Sequence, residues 1–242
     1  KTAYEIGVRL VGSEMCIRDR HHGKSDIGVV REENQDAFCI LAPEDPEVLR
    51  EKGILLVIAD GMGGLACGAT ASQITVQTMQ EVYFETDAPA GEALLAAARE
   101  SNHRVFLEAQ KLPGNQPMGS TFTAMVILEG KGLIAQVGDS RAYGIPESGA
   151  LDQLTRDHTL VQELADRGEI EQDSLPYILH RNVLTRGLGL QDDVEIDLFE
   201  VDDVKTGDQF LLCSDVLYDV VTDAEIESLM KSQGAAQGEL LD

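Results

Sequence analysis

The stretch Leu55-Leu-Val-Ile-Ala-Asp-Gly-Met-Gly-Gly64 is an apolar run that ends on one carboxylate, Asp60, followed by glycine at 61, 63 and 64. Leu and Val/Ile without polar alternation predict a strand buried on both faces. The glycines after it allow backbone to approach a ligand closely. The same ending recurs: Leu-Ile-Ala-Gln-Val-Gly-Asp stops on Asp139, and Gln-Phe-Leu-Leu-Cys-Ser-Asp stops on Asp215. A single such ending is an Asx turn, whereas three predict an acidic site at which several strands converge. Arg-Glu-Glu-Asn-Gln-Asp-Ala-Phe adds Asp36 at the start of a strand, with Arg31 five residues before it. Carboxylates crowded together push one another's pKa values up. Hard divalent cations bound through oxygen relieve that penalty.

The remaining pattern predicts an α+β chain with strands in runs and helices in runs. Residues 36–41 and 53–60 read as strands, and 69–84 and 91–111 as helices with apolar faces at helical spacing. Leu-Pro-Gly-Asn-Gln-Pro ends the second helix. Three strand-like segments follow from Ser120 to Thr155, joined around Gly130–Gly132 and at Asp139 in the manner of an antiparallel meander. A short helix at 159–168, strands at 194–201 and 208–215, and a helix opened by Thr222 with Glu225 at the capping-box position complete the reading.

Composition narrows the function. The 242 residues hold 43 acidic and 19 basic side chains, a net charge of −24, so nucleic acid and anionic membrane are poor partners. An anionic substrate would need a local reversal of sign, which bound cations supply. Cysteines at 16, 39, 67 and 213 show no Cys-x-x-Cys and no zinc spacing, which fits a reducing, cytoplasmic setting. The longest clean apolar run, Ile54–Ala59, is far too short to span a membrane. Residues 1–20 lack sustained periodicity, and Leu-Val-Gly-Ser-Glu-Met-Cys-Ile-Arg-Asp at 10–19 looks like one reading frame of a sequencing-library adapter. The expectation is a non-native segment at 1–20 and a domain from 21 to 242.

Seven strings stand in a fixed order: Arg31-x-x-Asn34-Gln35-Asp36, Ala59-Asp-Gly-Met-Gly-Gly64, Gly119-Ser-Thr121, Val137-Gly-Asp-Ser-Arg141, Leu154-Thr-Arg-Asp-His158, Leu184-Thr-Arg-Gly-Leu-Gly189 and Leu212-Cys-Ser-Asp215. Together they resemble the metal-dependent serine/threonine protein phosphatases of the PPM/PP2C type, bacterial branch. The resemblance implies an αββα sandwich of two antiparallel sheets flanked by helices, with two Mn²⁺ or Mg²⁺ ions in a cleft at one end. By motif, Asp60 bridges both metals, Gly61 offers its carbonyl, Asp215 ligates the first metal, and Asp36 joins the cluster directly or through water. Asp139 binds a third, weaker metal, and Arg31 grips the substrate phosphate. A metal-activated water then attacks phosphorus in phosphorylated proteins, so no cysteine is needed. The resemblance further implies a partner serine/threonine kinase, a monomer, and a substrate-choosing flap over about 159–189.

Several positions depart from the family. Met62 stands where eukaryotic relatives often carry histidine. His158 reads more as a structural hydrogen-bonder than as a catalytic group, and His103 and His180 read as surface residues. Val216 replaces a glycine, which would strain the backbone if that position needs positive φ. The chain ends before the family's Asp-Asn motif, so C-terminal strands are expected to be missing. Those last two departures raise an alternative: a non-catalytic phosphoprotein-binding or regulatory module on the same scaffold.

Overall fold

Leu55 to Ala59 are fully buried, because the strand that carries them is covered on both sides. The computed structural model describes residues 4–9, 20–27, 33–63, 67–147, 149–171, 174 and 180–238. The strands in chain order are β1 (Tyr4–Arg9), β2 (Arg20–Ser25), β3 (Asp36–Leu41), β4 (Ile54–Gly63), β5 (Met118–Ser120), β6 (Phe122–Leu128), β7 (Lys131–Val137), β8 (Arg141–Ile145), β9 (Asp152–Gln153), β10 (Asp197–Asp202) and β11 (Gln209–Cys213). The helices are α1 (Pro46–Lys52), α2 (Cys67–Glu85), α3 (Ala90–Ala109), α4 (Leu160–Asp166), α5 (Asp215–Val220) and α6 (Asp223–Gly238). One sheet has the order β2-β1-β11-β8-β9 and the other β10-β7-β6-β4-β3, with β5 added on β4. The strand pairs are antiparallel.

Strand alternation builds the layers. Leu55, Val57 and Ala59 of β4, with Phe122, Ala124 and Val126 of β6, pack under Met79 and Tyr83 of α2 and Leu94, Ala97 and Ala98 of α3. Leu56 and Ile58 turn the other way and meet Ala142, Phe210 and Leu212 of the second sheet. That sheet's outer face, Tyr143, Leu211 and Cys213, is covered by Leu217 of α5 and Ile226 of α6. The result is helix, sheet, sheet, helix: the four-layer α+β sandwich expected from the sequence.

Four details go beyond that expectation. The sequence sets residues 1–20 apart from the domain, yet the backbone of Tyr4–Arg9 runs in register between β2 and β11. An extended segment beside β11 satisfies hydrogen-bonding groups that a sheet edge would otherwise leave open. The slot next to β11 is therefore filled within the described residues. The segment from Arg141 to Gln153 is a pair of strands, β8 and β9, and not one. Helix α1 carries clear local signals that a hydrophobic-period reading passes over: Asp45 accepts from the amides of Glu47 (2.8 Å) and Val48 (3.4 Å), Pro46 opens the helix, and Gly53 closes it at φ +71°. Val216 sits in α5, and Asp203 is the one described residue other than glycine with positive φ. The strain anticipated at Val216 is absent, because a short helix occupies the position.

Candidate active site

The four-layer stack brings the aspartates to one end. Asp36 and Asp60 are direct partners in the β3–β4 ladder, so their side chains leave the same face. Following Ile58 by two residues, Asp60 continues the row that β4 turns toward the opposing sheet. From that opposing sheet Ser214, between β11 and α5, donates its hydroxyl to Asp36 Oδ2 at 3.3 Å. Asp215 follows as the first residue of α5. Asp139 lies between β7 and β8 and is 7% exposed. Its carboxyl is pushed well above the ordinary range, first by burial and then by the negative charges of Asp215, Asp157 and Asp60. That ordering of charges places Asp60, Asp139 and Asp215 in one field.

Backbone geometry fixes Asp60 from both sides. Its amide donates to Thr121 Oγ1 at 2.9 Å, and its carbonyl accepts from the Thr121 amide at 2.8 Å and from Ser120 Oγ at 3.1 Å. The Thr121 hydroxyl also shares a hydrogen bond with Ser140 Oγ, 2.7 Å away and next to Asp139. The methyl side of Thr121 backs Gly138, whose φ is +104°. One threonine thus couples the strand bearing Asp60 to the turn bearing Asp139. Thr121→Val should lower stability by about 1–3 kcal/mol, because it leaves buried hydrogen-bonding groups unpartnered. Thr121→Ser, which keeps the hydroxyl, should unfold in urea close to the parent.

Gly61 is held where no side chain fits: a Cβ there would stand 1.9 Å from the Gly68 carbonyl oxygen and 2.6 Å from that of Gln35. The Gly61 amide donates to the Gln35 carbonyl at 2.9 Å. A Cβ on Gly68 would in turn come within 2.7 Å of the Gly61 carbonyl oxygen, so glycine at the start of α2 keeps that oxygen uncrowded. Asp36 is set by an Asx-type bond from its amide to Asn34 Oδ1 at 3.1 Å.

His158 is engaged on both ring nitrogens. The Gly138 amide donates to Nδ1 at 3.1 Å, so Nδ1 carries no proton, and Nε2 faces Asp197 Oδ2 at 3.2 Å. Burial and then the Arg186 charge lower its pKa, against the pull of Asp197. The histidine is a neutral strut beneath the Asp139 turn, as the structural reading anticipated. His103 pairs with Asp192 on the surface, and His180 is exposed. Cys39 is buried and its thiol is pushed up to about 11, chiefly by burial, so it offers no thiolate near neutral pH. Arg31 lies outside the described residues. Residues that sequence reasoning passed over as site components include Ser214, Thr121 and Tyr218, whose hydroxyl donates to the Asp139 carbonyl at 2.8 Å. The first two sit inside motif strings, the signal that could have found them.

The donors gathered here suit a hard cation. Among the described residues no three His, Cys, Asp or Glu side chains form a ready-made cage. All the converging donors are oxygen, the chemistry that Mg²⁺ and Mn²⁺ take, and the crowded charge around Asp139 is the penalty that a cation would offset. In metal-free protein that penalty has a sign. The folded carboxyl keeps its proton to higher pH than the unfolded one, so folding is weakened as pH rises above the ordinary Asp range. Asp139→Asn should therefore raise the melting midpoint of EDTA-treated protein at pH 7. The gain should shrink near pH 4, which differential scanning calorimetry at the two pH values would show.

A four-layer sandwich with an oxygen-lined acidic end fits a metal-dependent hydrolase, and comparison with known proteins specifies the family. The sequence pattern of the family Protein phosphatase 2C matches residues 29–233, and the chain belongs to that family. It is 35% identical over 215 residues to the serine/threonine phosphatase stp of Listeria innocua, covering 87% of this chain and 82% of that protein. The crystal structure of the Mycobacterium tuberculosis serine/threonine phosphatase PstP/Ppp superposes with a TM-score of 0.72 at 29% identity, over 94% of this chain and 85% of that one. The catalytic domain of serine threonine protein phosphatase PstP in complex with 2 manganese ions superposes with a TM-score of 0.69 at 30% identity, over 94% and 84%.

Proposed function

We propose that this chain hydrolyses phosphoserine and phosphothreonine in proteins, with two Mn²⁺ or Mg²⁺ ions and a third, weaker site. The observation that carries the reading is the convergence of Asp36, Asp60, Asp139 and Asp215 from four separate points of the chain onto one end of the sandwich. The relatives named as serine/threonine phosphatases and the manganese-bound neighbour support it. Asp60, Asp36, Asp215 and the Gly61 carbonyl would hold the two principal ions, and Asp139 the third. When bound, the ions supply positive charge facing the phosphoryl oxygens and a water made acidic near neutral pH.

The protein's own part is placement. Two strands in register and a doubly bonded Asp60 backbone hold the carboxylates still, so little reorganisation is needed as charge develops on the phosphoryl group. Arg31, from the matched Arg-x-x-Asn-Gln-Asp string, would grip two phosphate oxygens with its guanidinium fork. Met62 carries no proton to give, and both nitrogens of His158 are committed, so neither protonates the leaving serine or threonine oxygen. The buried, high-pKa Cys39 takes no nucleophilic part. Phosphorylated proteins are the substrates in this reading, made by a serine/threonine kinase in the same cytoplasm, with the enzyme acting as a monomer. Cysteine usage supports that setting, the net charge of −24 disfavours nucleic acid and anionic membrane as partners, and no helix among the described residues is long and apolar enough to cross a membrane.

The non-catalytic alternative drew partly on strain at Val216, which the helix at 215–220 removes. Direct attack by water is tested by hydrolysing a phosphothreonine peptide with Mn²⁺ in ¹⁸O-water. One ¹⁸O in the released phosphate, with no ³²P retained on the protein after acid quench of a labelled peptide, is expected. A stable phosphoprotein intermediate would contradict the mechanism.

A further inference from the structure

Helix α5 brings two groups to the acidic end: Asp215 in its first turn and Tyr218 three residues on. Tyr218 does not reach the carboxylates through its hydroxyl. It donates to the backbone carbonyl of Asp139, 2.8 Å away and 79 residues distant in sequence. Beneath its ring lies the Arg141 guanidinium, with its carbon 3.6 Å from the ring centroid. That guanidinium is itself immobilised. Its Nε donates to Asp157 Oδ1 at 3.0 Å, Nη2 to Asp157 Oδ2 at 2.7 Å, and Nη1 to the Tyr143 hydroxyl at 2.9 Å. The Arg141 and Asp157 side chains are 16% and 6% exposed, so the fork is buried and its plane is fixed.

These contacts form a column from Asp157 through Arg141 and Tyr218 to the Asp139 backbone, and its upper member belongs to the helix that carries Asp215. We propose that Tyr218, seated on the Arg141–Asp157 pair, is a positioning residue that sets the spacing between Asp139 and Asp215 and so the divalent-cation affinity of the Asp139 site. The inference rests on the metal-dependent reading above. A helix of six residues has little rigidity of its own, and its register against the β7–β8 turn depends on side chains that tie the two together. Without the phenol oxygen, α5 loses its bond to the turn, and carboxylates on separate elements no longer hold one distance. Cation sites are sensitive to such changes, because supporting contacts orient the ligands.

The test is a calorimetric titration of the metal-stripped full chain with Mn²⁺, comparing wild type, Tyr218→Phe and Arg141→Lys. Tyr218→Phe keeps the ring over Arg141 and removes the one hydrogen bond. It should weaken the weakest class of Mn²⁺ sites, which depends on the Asp139–Asp215 spacing, by about fivefold, the worth of a single hydrogen bond, while the tighter class, which Asp215 shares with Asp36, Asp60 and the Gly61 carbonyl on other elements, changes by less, within about twofold. The metal-free melting midpoint should move by no more than about 4 °C. Arg141→Lys keeps the charge but not the plane or the forked contact, and should weaken the same class. A Tyr218→Phe protein that titrates as wild type, or that loses affinity equally in every class, overturns the proposal. Failure of the unmutated chain to take up Mn²⁺ overturns the metal-dependent reading itself and is visible before any variant is made.

Discussion

Asp60→Asn should abolish Mn²⁺-dependent hydrolysis of 4-nitrophenyl phosphate, lowering kcat by at least about 10³-fold, which corresponds to roughly 4 kcal/mol of lost transition-state stabilisation. Asp60 lies at the centre of the arrangement. It faces Asp36 across the ladder, acts on Asp139 through its charge, and is fixed at both its amide and its carbonyl by Ser120 and Thr121. Asparagine preserves the shape and those backbone bonds while removing the charge. The far-ultraviolet spectrum should therefore match the parent, and the metal-free protein should be no less stable, since one of the charges opposing Asp139 is gone. A loss of activity accompanied by unfolding would place Asp60 in the scaffold and not in the chemistry. Steady-state kinetics across a Mn²⁺ series, run beside thermal melts, separates the two.

Gly61→Ala should be among the most damaging alanine substitutions at the described glycines. The added carbon would stand 1.9 Å from the Gly68 carbonyl oxygen and 2.6 Å from that of Gln35, both backbone atoms that cannot swing aside. Either α2 is driven from β4 or the β3–β4 ladder opens where Asp36 and Asp60 are paired. Overpacking typically costs about 1–3 kcal/mol, and a clash against two backbone oxygens should exceed it, reaching at least about 4 kcal/mol. In a chain of this length that lowers the melting midpoint by roughly 8–16 °C. Calorimetry reads the shift directly. A Gly61→Ala protein that melts within about 2 °C of the parent would show that α2 can retreat from β4 at little cost, contrary to the packing described.

Much of this architecture is legible in one dimension. The unbroken apolar run of β4 reports burial on both faces, and the fold supplies both covers: α2 and α3 on one side, the second sheet on the other. Three apolar runs that stop on aspartate announce an acidic site, although β4 continues past Asp60 to Gly63, and Asp139 and Asp215 lie two residues beyond β7 and β11. Thr222 and Glu225 close the expected capping box, with the Thr222 amide 2.9 Å from Glu225 Oε2. What escaped the sequence is of two kinds. Some signals were local but not hydrophobic, as with the Asp45-Pro46 start of α1. Others were long-range: nothing in a string tells that Thr121 will bond a residue 61 positions earlier, or that Tyr218 will reach back to Asp139. Glycine patterns can also mislead, since positive φ is a property of the turn. At Val216 a helix occupies the position where a strained turn was anticipated.

The most direct test of the central claim is release of inorganic phosphate from a phosphothreonine peptide by the purified chain, first stripped with EDTA and then supplied with Mn²⁺. No release is expected without metal, and saturable turnover on adding it. A folded protein that binds both Mn²⁺ and the peptide yet releases no phosphate would contradict the account, and would return the scaffold to the role of a phosphoprotein-binding module.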